Sequence, residues 1–299
     1  MSANIIEACN LYYKYGDGTL ALQGIDLDIK KHSKTAILGA NGAGKTTLFL
    51  NCNGLLKPSQ GQMRYAGSDY NYSAGFLKEL KRKVGIVFQN PDNQLFSASV
   101  RQDISFGLMN LGFNRKEAEY RINRVGDELR ITELFAKATH FLSLGQKKLV
   151  ALAGVLVMDP EILICDEPTA GLDPANSQLF MQALDEQHQQ GTTLVISTHD
   201  VDLAYSWADT IIVMGNGRVL SAGSPRQVLD NQELLNEAHL QKPWILEIWQ
   251  ELQLARIVSP LLPAPRHKEQ LMQIIRDTKE TAGDETTEKA PFKPPGTLP

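Results

Sequence analysis

Apolar and polar residues alternate near the start of the chain. Between residues 20 and 29 the apolar positions include Leu22, Ile25, Leu27 and Ile29. This alternation is typical of a strand with one buried face and one face in water, and it favours an antiparallel sheet. Residues 5–15 precede a Gly16-Asp17-Gly18 turn, and they predict a partner strand.

Four later apolar runs are continuous, and each ends in residues that can do chemistry. A short continuous apolar run predicts a strand buried on both faces. In open α/β sheets, ligands bind where the carboxyl ends of such strands meet. The sequence therefore predicts an α/β fold with a site at that edge of the sheet. The runs, with the residues that follow them, are Thr35–Leu38 before a glycine-rich loop, Val84–Phe88 before Gln89, Ile162–Cys165 before Asp166 and Glu167, and Leu194–Thr198 before His199.

Helical spacing dominates the middle of the chain. Apolar residues recur every three or four positions over Val100–Ala138, which predicts helices with no strand between them. Ser143 then caps a further apolar helix that runs to Met158. We expect these helices to form a lobe, about residues 98–158, inserted into the α/β core. An earlier helix is expected over Leu48–Leu56, after the glycine-rich loop.

The C-terminal part of the chain changes in character. Residues 210–222 predict a hairpin around Gly215-Asn216-Gly217, and we place the end of the main domain at residue 240. The helical pattern that follows predicts a helical C-terminal extension over residues 241–280. Residues 281–299 are rich in Thr, Glu and Pro, and they are expected to form a disordered tail.

Composition narrows the class of protein. Of the 299 residues, 42% are apolar and 21% are charged, and the net charge is −4. These values are typical of a globular domain and argue against a protein built to hold nucleic acid. The three cysteines form no C-x-x-C pair, so neither a disulfide framework nor a zinc site is expected. The apolar run Ala151–Met158 is shorter than the roughly 20 residues that span a bilayer, so a membrane role requires separate subunits.

The glycine-rich loop reads G-A-N-G-A-G-K-T, which fits the phosphate-binding pattern G-x-x-x-x-G-K-[ST]. Its glycines can adopt backbone angles that a Cβ would penalise, so that N–H groups face phosphate oxygens. The next helix adds the positive end of its dipole. Lys45 is expected to reach the β and γ phosphates of a nucleotide, and Thr46 to bind Mg²⁺. The predicted nucleotide-binding residues of the loop are Gly39, Ala40, Asn41, Gly42, Ala43, Gly44, Lys45, Thr46 and Thr47.

Polar residues at the other strand ends complete the expected site. Asp166 is placed to hold Mg²⁺, and Glu167 to take a proton from an attacking water. Gln89 is a candidate to touch Mg²⁺ or that water, although the Asn-Pro-Asp sequence after it favours a plain turn. Tyr15 could stack on a nucleotide base or simply pack. His199 is either structural or part of the same site.

Six motifs follow one another as in the ATP-binding subunits of ABC transporters, and the chain resembles that family over residues 4 to about 230. Besides the four strand ends, they include L-S-L-G-Q from Leu142, the signature, and A-G-L-D up to Asp173, the aspartate loop. The resemblance implies a head-to-tail dimer that holds each ATP between one glycine-rich loop and the partner's signature. The roles it implies are adenine stacking by Tyr15, contact of His199 with the γ-phosphate, catalysis by Glu167, Gln89 and Lys45, and nucleotide binding by Ser143, Gly145, Gln146 and Asp173.

The signature departs from the family pattern at one position. The family usually has L-S-G-G-Q, whereas the third residue here is Leu144. A leucine forced to positive φ would be strained by roughly 1–2 kcal/mol. A leucine with negative φ would carry no such strain.

Narrower likenesses indicate one branch of the family. The stretch F-Q-N-P-D-N-Q-L-F, Phe88–Phe96, is similar to energy-coupling-factor importers, and S-L-G-Q-K-K, A-L-A-G-V-L and Leu240–Trp244 are similar to the CbiO cobalt-transport ATPases. The resemblance implies an ATPase at the cytoplasmic face of the membrane, with a second ATPase protomer, a homodimer being expected, and integral membrane subunits. Nickel and vitamin uptake are alternatives to cobalt. A soluble ABC ATPase of DNA repair or translation is an alternative of another class.

Overall fold

The computed structural model describes residues 3–284, and ten strands and eleven helices lie within that range. The strands are β1 (Asn4–Lys14), β2 (Leu20–Lys30), β3 (Lys34–Leu38), β4 (Gln60–Tyr65), β5 (Ser68–Asp69), β6 (Val84–Val87), β7 (Ile162–Asp166), β8 (Thr193–Thr198), β9 (Thr210–Gly215) and β10 (Arg218–Gly223). The helices are α1 (Lys45–Cys52), α2 (Ala74–Lys83), α3 (Val100–Leu111), α4 (Arg115–Glu128), α5 (Leu144–Leu156), α6 (Pro174–Gln189), α7 (Val201–Trp207), α8 (Pro225–Leu229), α9 (Gln232–Glu237), α10 (Trp244–Leu254) and α11 (Lys268–Asp284).

The first sheet is antiparallel, with strand order β2-β1-β4-β5. In β2 the residues Leu22, Ile25, Leu27 and Ile29 are buried, whereas Asp26 and Asp28 between them are exposed. One face of this sheet thus joins the core and the other meets water, which confirms the prediction made from the alternating pattern.

The second sheet has the order β10-β9-β3-β8-β7-β6. Its strands from β9 to β6 run parallel, and only the β9–β10 hairpin is antiparallel. Strands β6, β7 and β8 are buried along their whole length, as continuous apolar runs require. Helix α1 joins both sheets in one apolar core through Leu48 and Phe49. This mixed α/β architecture confirms the predicted fold class, and it brings the carboxyl ends of the parallel strands to one edge.

Helix α1 is shorter than predicted, and the expectation that it reaches Leu56 is wrong. It ends at Cys52, because Gly54 adopts φ 73°, the left-handed conformation that terminates helices. The Asn53 side chain also donates a hydrogen bond to the carbonyl of Val84. This bond anchors the residue that follows α1 to the start of β6.

The helical pattern over residues 100–138 is confirmed as α3, α4 and one short 3₁₀ turn, Thr132–Leu134. Ser143 caps α5 in a capping box, in which its hydroxyl accepts from the Gln146 N–H and the Gln146 side chain accepts from the Ser143 N–H. The α5 terminus is therefore held by its own residues.

The chain divides into two compact units, the first ending at Gln241 and the second beginning at Lys242. The second unit contains α10 and α11, with Trp249 buried. Helix α11 continues to Asp284, beyond residue 280, where the predicted disordered tail begins, and residues 285–299 of that tail lie outside the described residues. Between residues 3 and 284, no helix is long and apolar enough to cross a membrane.

Candidate functional site

A cavity of about 630 Å³ opens where the carboxyl ends of the parallel strands face the antiparallel sheet. It collects residues from distant parts of the chain at the edge where ligands bind in open α/β sheets. Its walls are formed by Tyr15, Thr19, Leu20, Ala21, Gln23, Asn41, Gly42, Ala43, Gly44, Lys45, Thr46, Thr47, Gln89, Asp166, Glu167, Asn216 and Gly217.

The glycine-rich loop is wedged between the two sheets. A Cβ added to Gly39 would lie 2.4 Å from the carbonyl oxygen of Met214 in β9, and one on Gly44 would lie 2.7 Å from that of Ala21 in β2. Neither position has room for a side chain. Gly42 and Gly44 also have φ of 83° and 99°, which glycine adopts without strain. The sequence therefore needs glycine here both for the turn and for the close approach of two sheets.

Lys45 begins α1 and is buried beneath the loop. Its Nζ donates to the carbonyls of Gly39 and Ala40 at 2.6 and 3.2 Å, and it lies 4.0 Å from Oε1 of Glu167. These two carbonyls hold the ammonium between the loop and the carboxylate. The charge needed to bind a phosphate is thus fixed at the floor of the cavity.

Asp166 ends β7 and accepts hydrogen bonds on both of its carboxylate oxygens. The Thr46 hydroxyl donates to Oδ2 at 2.6 Å, and the Ser197 hydroxyl donates to Oδ1 at 2.5 Å. Ser197 was not among the predicted site residues, because a serine inside an apolar strand gives no signal of its own. The parallel pairing of β7 with β8, which sets Asp166 opposite Ser197, brings them together.

Glu167 follows Asp166 with φ 47°, a left-handed conformation that strains a non-glycine residue by roughly 1–2 kcal/mol. Its N–H donates to the Ser197 hydroxyl at 2.9 Å. Its Oε2 lies 3.0 Å from Nδ1 of His199, and its Oε1 is buried without a hydrogen-bond partner. A buried carboxylate oxygen with a free lone pair, facing a phosphate-binding loop, is suited to accept a proton from water.

Two further predicted residues lie at the cavity. Gln89 follows β6 and lines the wall beside Thr46 and Asp166, while the predicted turn also exists, as a 3₁₀ turn over Pro91–Asn93. Tyr15 is 38% exposed at the cavity, and its hydroxyl lies 2.9 Å from that of Thr47. The ring is therefore available for stacking with a flat ligand.

The wall formed by β2 and the β9–β10 turn was missed by sequence reasoning. Gln23 bonds to the carbonyl of Asn216 through its side chain and to that of Gly217 through its N–H. The Gly217 N–H donates in turn to the carbonyl of Ala43 in the glycine-rich loop. The turn itself was predicted, but its place beside the loop depends on the strand order.

The signature residues and Asp173 do not line this cavity. Ser143 and Gln146 form the capping box of α5, while Asp173 caps α6 by accepting from the N–H and the side chain of Asn176. Leu144 is not among the residues with positive φ and begins a regular helix, so it carries no backbone strain. The action of these residues on the ATP of a second protomer stays a prediction.

One buried charge near the site was also missed. Lys148 of α5 is 2% exposed, and its Nζ donates at 2.9 Å to three carbonyls, those of Glu167, Pro168 and Ala170. Burial lowers the pKa of this ammonium to about 8. The only sequence signal for it is a lysine directly before the apolar run of α5.

Comparison with known proteins agrees with this geometry. Residues 22–170 match the sequence model of the ABC transporter family. The chain is 42% identical over 244 residues to the energy-coupling factor transporter ATP-binding protein EcfA of Methanocaldococcus jannaschii, covering 82% of this chain and 88% of that protein.

Two solved structures are similar over most of the chain. One is cbiO1 from Clostridium perfringens, described as part of the ABC transporter complex cbiONQ, with 45% identity and a TM-score of 0.71 over 83% of this chain and 100% of that one. The other is the ATP-binding cassette MJ0796, a dimer bound to ADP and phosphate, with 25% identity and a TM-score of 0.69 over 74% of this chain and 99% of that one. From its cavity, its motifs and these likenesses, the chain belongs to the ABC transporter family, as an ATP-hydrolysing, ATP-binding subunit of the energy-coupling-factor type.

Proposed function

We propose that this subunit hydrolyses ATP at the cavity described above and thereby drives the import of a transition metal, cobalt, by separate membrane subunits at the cytoplasmic face of the cell membrane. The observation that carries the proposal is the Glu167 carboxylate. It is buried, it has one oxygen without a hydrogen-bond partner, and it lies 4.0 Å from the ammonium of Lys45. A base and a phosphate-binding cation therefore face the same space.

Each side chain has a distinct part in the proposed reaction. The loop N–H groups and Lys45 bind the phosphates, and Tyr15 stacks on adenine. Glu167 accepts the proton of the attacking water at Oε1, while His199, bonded to Oε2, orients the carboxylate and contacts the γ-phosphate. Thr46, Asp166 and Gln89 offer the oxygen ligands that Mg²⁺ prefers, and this ion, when bound, supplies charge neutralisation at the phosphate oxygens.

The proposed active unit is a dimer of ATPase subunits. Ser143, Gly145, Gln146 and Asp173 lie outside the cavity of their own chain, so the ATP on which they act is that of a second copy. The dimeric cassette MJ0796 bound to ADP and phosphate supports the same arrangement. In this proposal the two copies close on ATP and open after hydrolysis, and this movement drives the membrane subunits.

A second surface suits the contact with membrane subunits. Between β6, α3 and α5 lies a largely apolar groove of about 240 Å³, whose walls include Phe88, Leu95, Phe96, Phe106, Val155 and Met158. Phe96 is 65% exposed and Phe106 is 47% exposed, with ring centroids 4.7 Å apart. Apolar residues exposed together mark a protein–protein contact site, so we assign this groove to a segment of a membrane subunit.

Cobalt is proposed as the transported metal because the chain is similar to known cobalt-transport ATPases. The stretches S-L-G-Q-K-K and A-L-A-G-V-L support a cobalt transporter, as does the 45% identity to cbiO1. Nickel and a vitamin are the alternative transported substrates, and the uptake measurement described below distinguishes them from cobalt. The DNA-repair and translation alternatives find no support in the relatives, which are named as transporter subunits.

The first test concerns the base. Glu167→Gln keeps the shape of the side chain but cannot accept the proton, so we expect ATP affinity within about threefold of wild type and a rate lower by ~10²–10⁴. ATP binding and steady-state phosphate release measure the two effects. Glu119→Gln, on the exposed face of α4, is the control. Hydrolysis at the wild-type rate in Glu167→Gln would rule out the assignment.

The second test concerns the partners and the cargo. Tagged Glu167→Gln protein is expressed in its own cells, membranes are extracted with ATP present, and the co-purifying proteins are identified by mass spectrometry. Polytopic membrane proteins are expected, together with cobalt uptake by cells that depends on wild-type Glu167. Recovery of soluble proteins or nucleic acid alone would refute transport, and uptake of nickel or a vitamin instead would replace cobalt.

A further inference from the structure

Lys148 makes an unusual set of contacts for a buried lysine. Its ammonium has three N–H donors, and each donor meets one backbone carbonyl at 2.9 Å, at Glu167, Pro168 and Ala170. Because the residue is 2% exposed, water does not compete for these bonds. A flexible side chain is thus fixed at its tip to the short segment that begins with the proposed base.

The backbone of Glu167 requires such support. It adopts φ 47°, a conformation that persists in a non-glycine residue only when its surroundings enforce it. Two hydrogen bonds hold the Glu167 backbone in place: its N–H donates to the Ser197 hydroxyl, and its carbonyl accepts from Lys148. The direction of the carboxylate toward Lys45 and His199 depends on these angles.

The start of α5 contacts the same segment at two more points. A Cβ on Gly171 would lie 3.0 Å from the Leu144 side chain, and one on Gly145 would lie 2.8 Å from the Asn176 side chain. The signature end of α5 therefore packs directly on the turn that follows Glu167. Together with the Lys148 bonds, these contacts join α5 and the segment 167–176 into one body.

We propose that Lys148 is a positioning residue for ATP hydrolysis, which holds the Glu167 backbone in its left-handed conformation and ties it to the signature helix. This inference rests on the role proposed for Glu167 as the base. Through Lys148, a movement of the signature against the ATP of a partner subunit is passed to the base of the subunit's own site. The lysine touches no phosphate itself.

The test compares binding with turnover. Lys148→Met keeps most of the length of the side chain and removes all three donors. Because Glu167 would lose its direction while the phosphate loop is untouched, we expect kcat to fall about 10- to 100-fold, with the Kd of ATP within about threefold of wild type. Lys148→Arg, which retains donors and charge, should recover part of kcat. Lys116→Met, the same change at an exposed site on α4, should leave both constants at wild-type values.

Further measurements separate positioning from a general loss of structure. In single-turnover assays, adding Lys148→Met to Glu167→Gln should reduce the remaining rate by less than twofold, because a residue that acts through Glu167 has nothing left to position. A kcat of Lys148→Met within twofold of wild type would overturn the inference. So would a parallel loss of ATP affinity and Tm in both Lys148 variants. If Glu167→Gln is inactive and Lys148→Met is not, only this inference fails, whereas an active Glu167→Gln removes the proposed function itself.

Discussion

At the scale of single residues, the geometry at Leu144 decides between the two outcomes considered for the altered signature. The residue begins α5 with negative φ and is 42% exposed, so its side chain costs no backbone strain. Its side chain lies beside Gly171, where it would be 3.0 Å from an added Cβ. Backbone strain at this leucine is therefore ruled out as a brake on hydrolysis, and its effect on turnover stays a prediction.

We expect Leu144→Gly to leave the ATPase rate within a few-fold of wild type. Glycine is less favourable in a helix by about 1 kcal/mol, so Tm should fall slightly while kcat changes little. Steady-state hydrolysis and thermal unfolding of the two proteins measure this. A gain in turnover of tenfold or more would show that the leucine does restrain the enzyme.

The sequence indicated a position at the cavity where a motif or a strand end marks the residue, while the roles assigned to these residues stay predictions. Lys45, Gln89 and Asp166 were found this way, and all three line the cavity. Ser197 and Lys148 were not found, because their partners lie far along the chain and become neighbours only through strand pairing and the packing of α5. Such contacts leave no local pattern in one sequence.

At the scale of elements, the glycine-rich loop shows how tightly the two sheets fit. The carbonyl of Met214 occupies the space where a Cβ of residue 39 would lie. The strands themselves were predictable from apolar runs. The order of the strands in the sheet was not predictable, because β3 pairs with β8 and β9, which lie much later in the sequence.

Gly39→Ala should weaken ATP binding and lower Tm. Its Cβ would be 2.4 Å from a backbone oxygen, so β9 or the loop must shift, at a cost of about 1–3 kcal/mol for overpacking. Gly75→Ala is the control, since nothing lies within 4 Å of the added atom and alanine favours α2. Nucleotide titration and thermal unfolding would contradict the expectation if both variants behaved alike.

At the scale of the whole molecule, the ATP cavity and the apolar groove are both lined by the segment that follows β6, with Gln89 at the cavity and Phe88, Leu95 and Phe96 at the groove. At the groove, the Gln94 side chain accepts from the Phe88 N–H and donates to the carbonyl of Ala151, which ties this segment to α5. The two sites are thus close in sequence as well, since Gln89 directly follows Phe88.

Phe96→Ser should weaken association with the membrane subunits at least tenfold, because it removes an exposed apolar anchor. Tyr120→Ser, at a 66% exposed aromatic residue of α4, should leave association unchanged. Co-purification of each tagged variant from solubilised membranes measures the effect, with Tm as the check on folding. Equal recovery of membrane subunits with both variants would remove the groove from the contact.

The position of β3 also determines when the domain can first recognise its nucleotide during synthesis. Leu38 pairs with Thr198 on one side and Val213 on the other, so the loop emerges from the ribosome long before its neighbours exist. A nascent chain that stops before β9 has the phosphate motif but no site around it. Because a ligand stabilises only the state that binds it, we expect ATP to stabilise chains whose core strands have all been made and not shorter fragments.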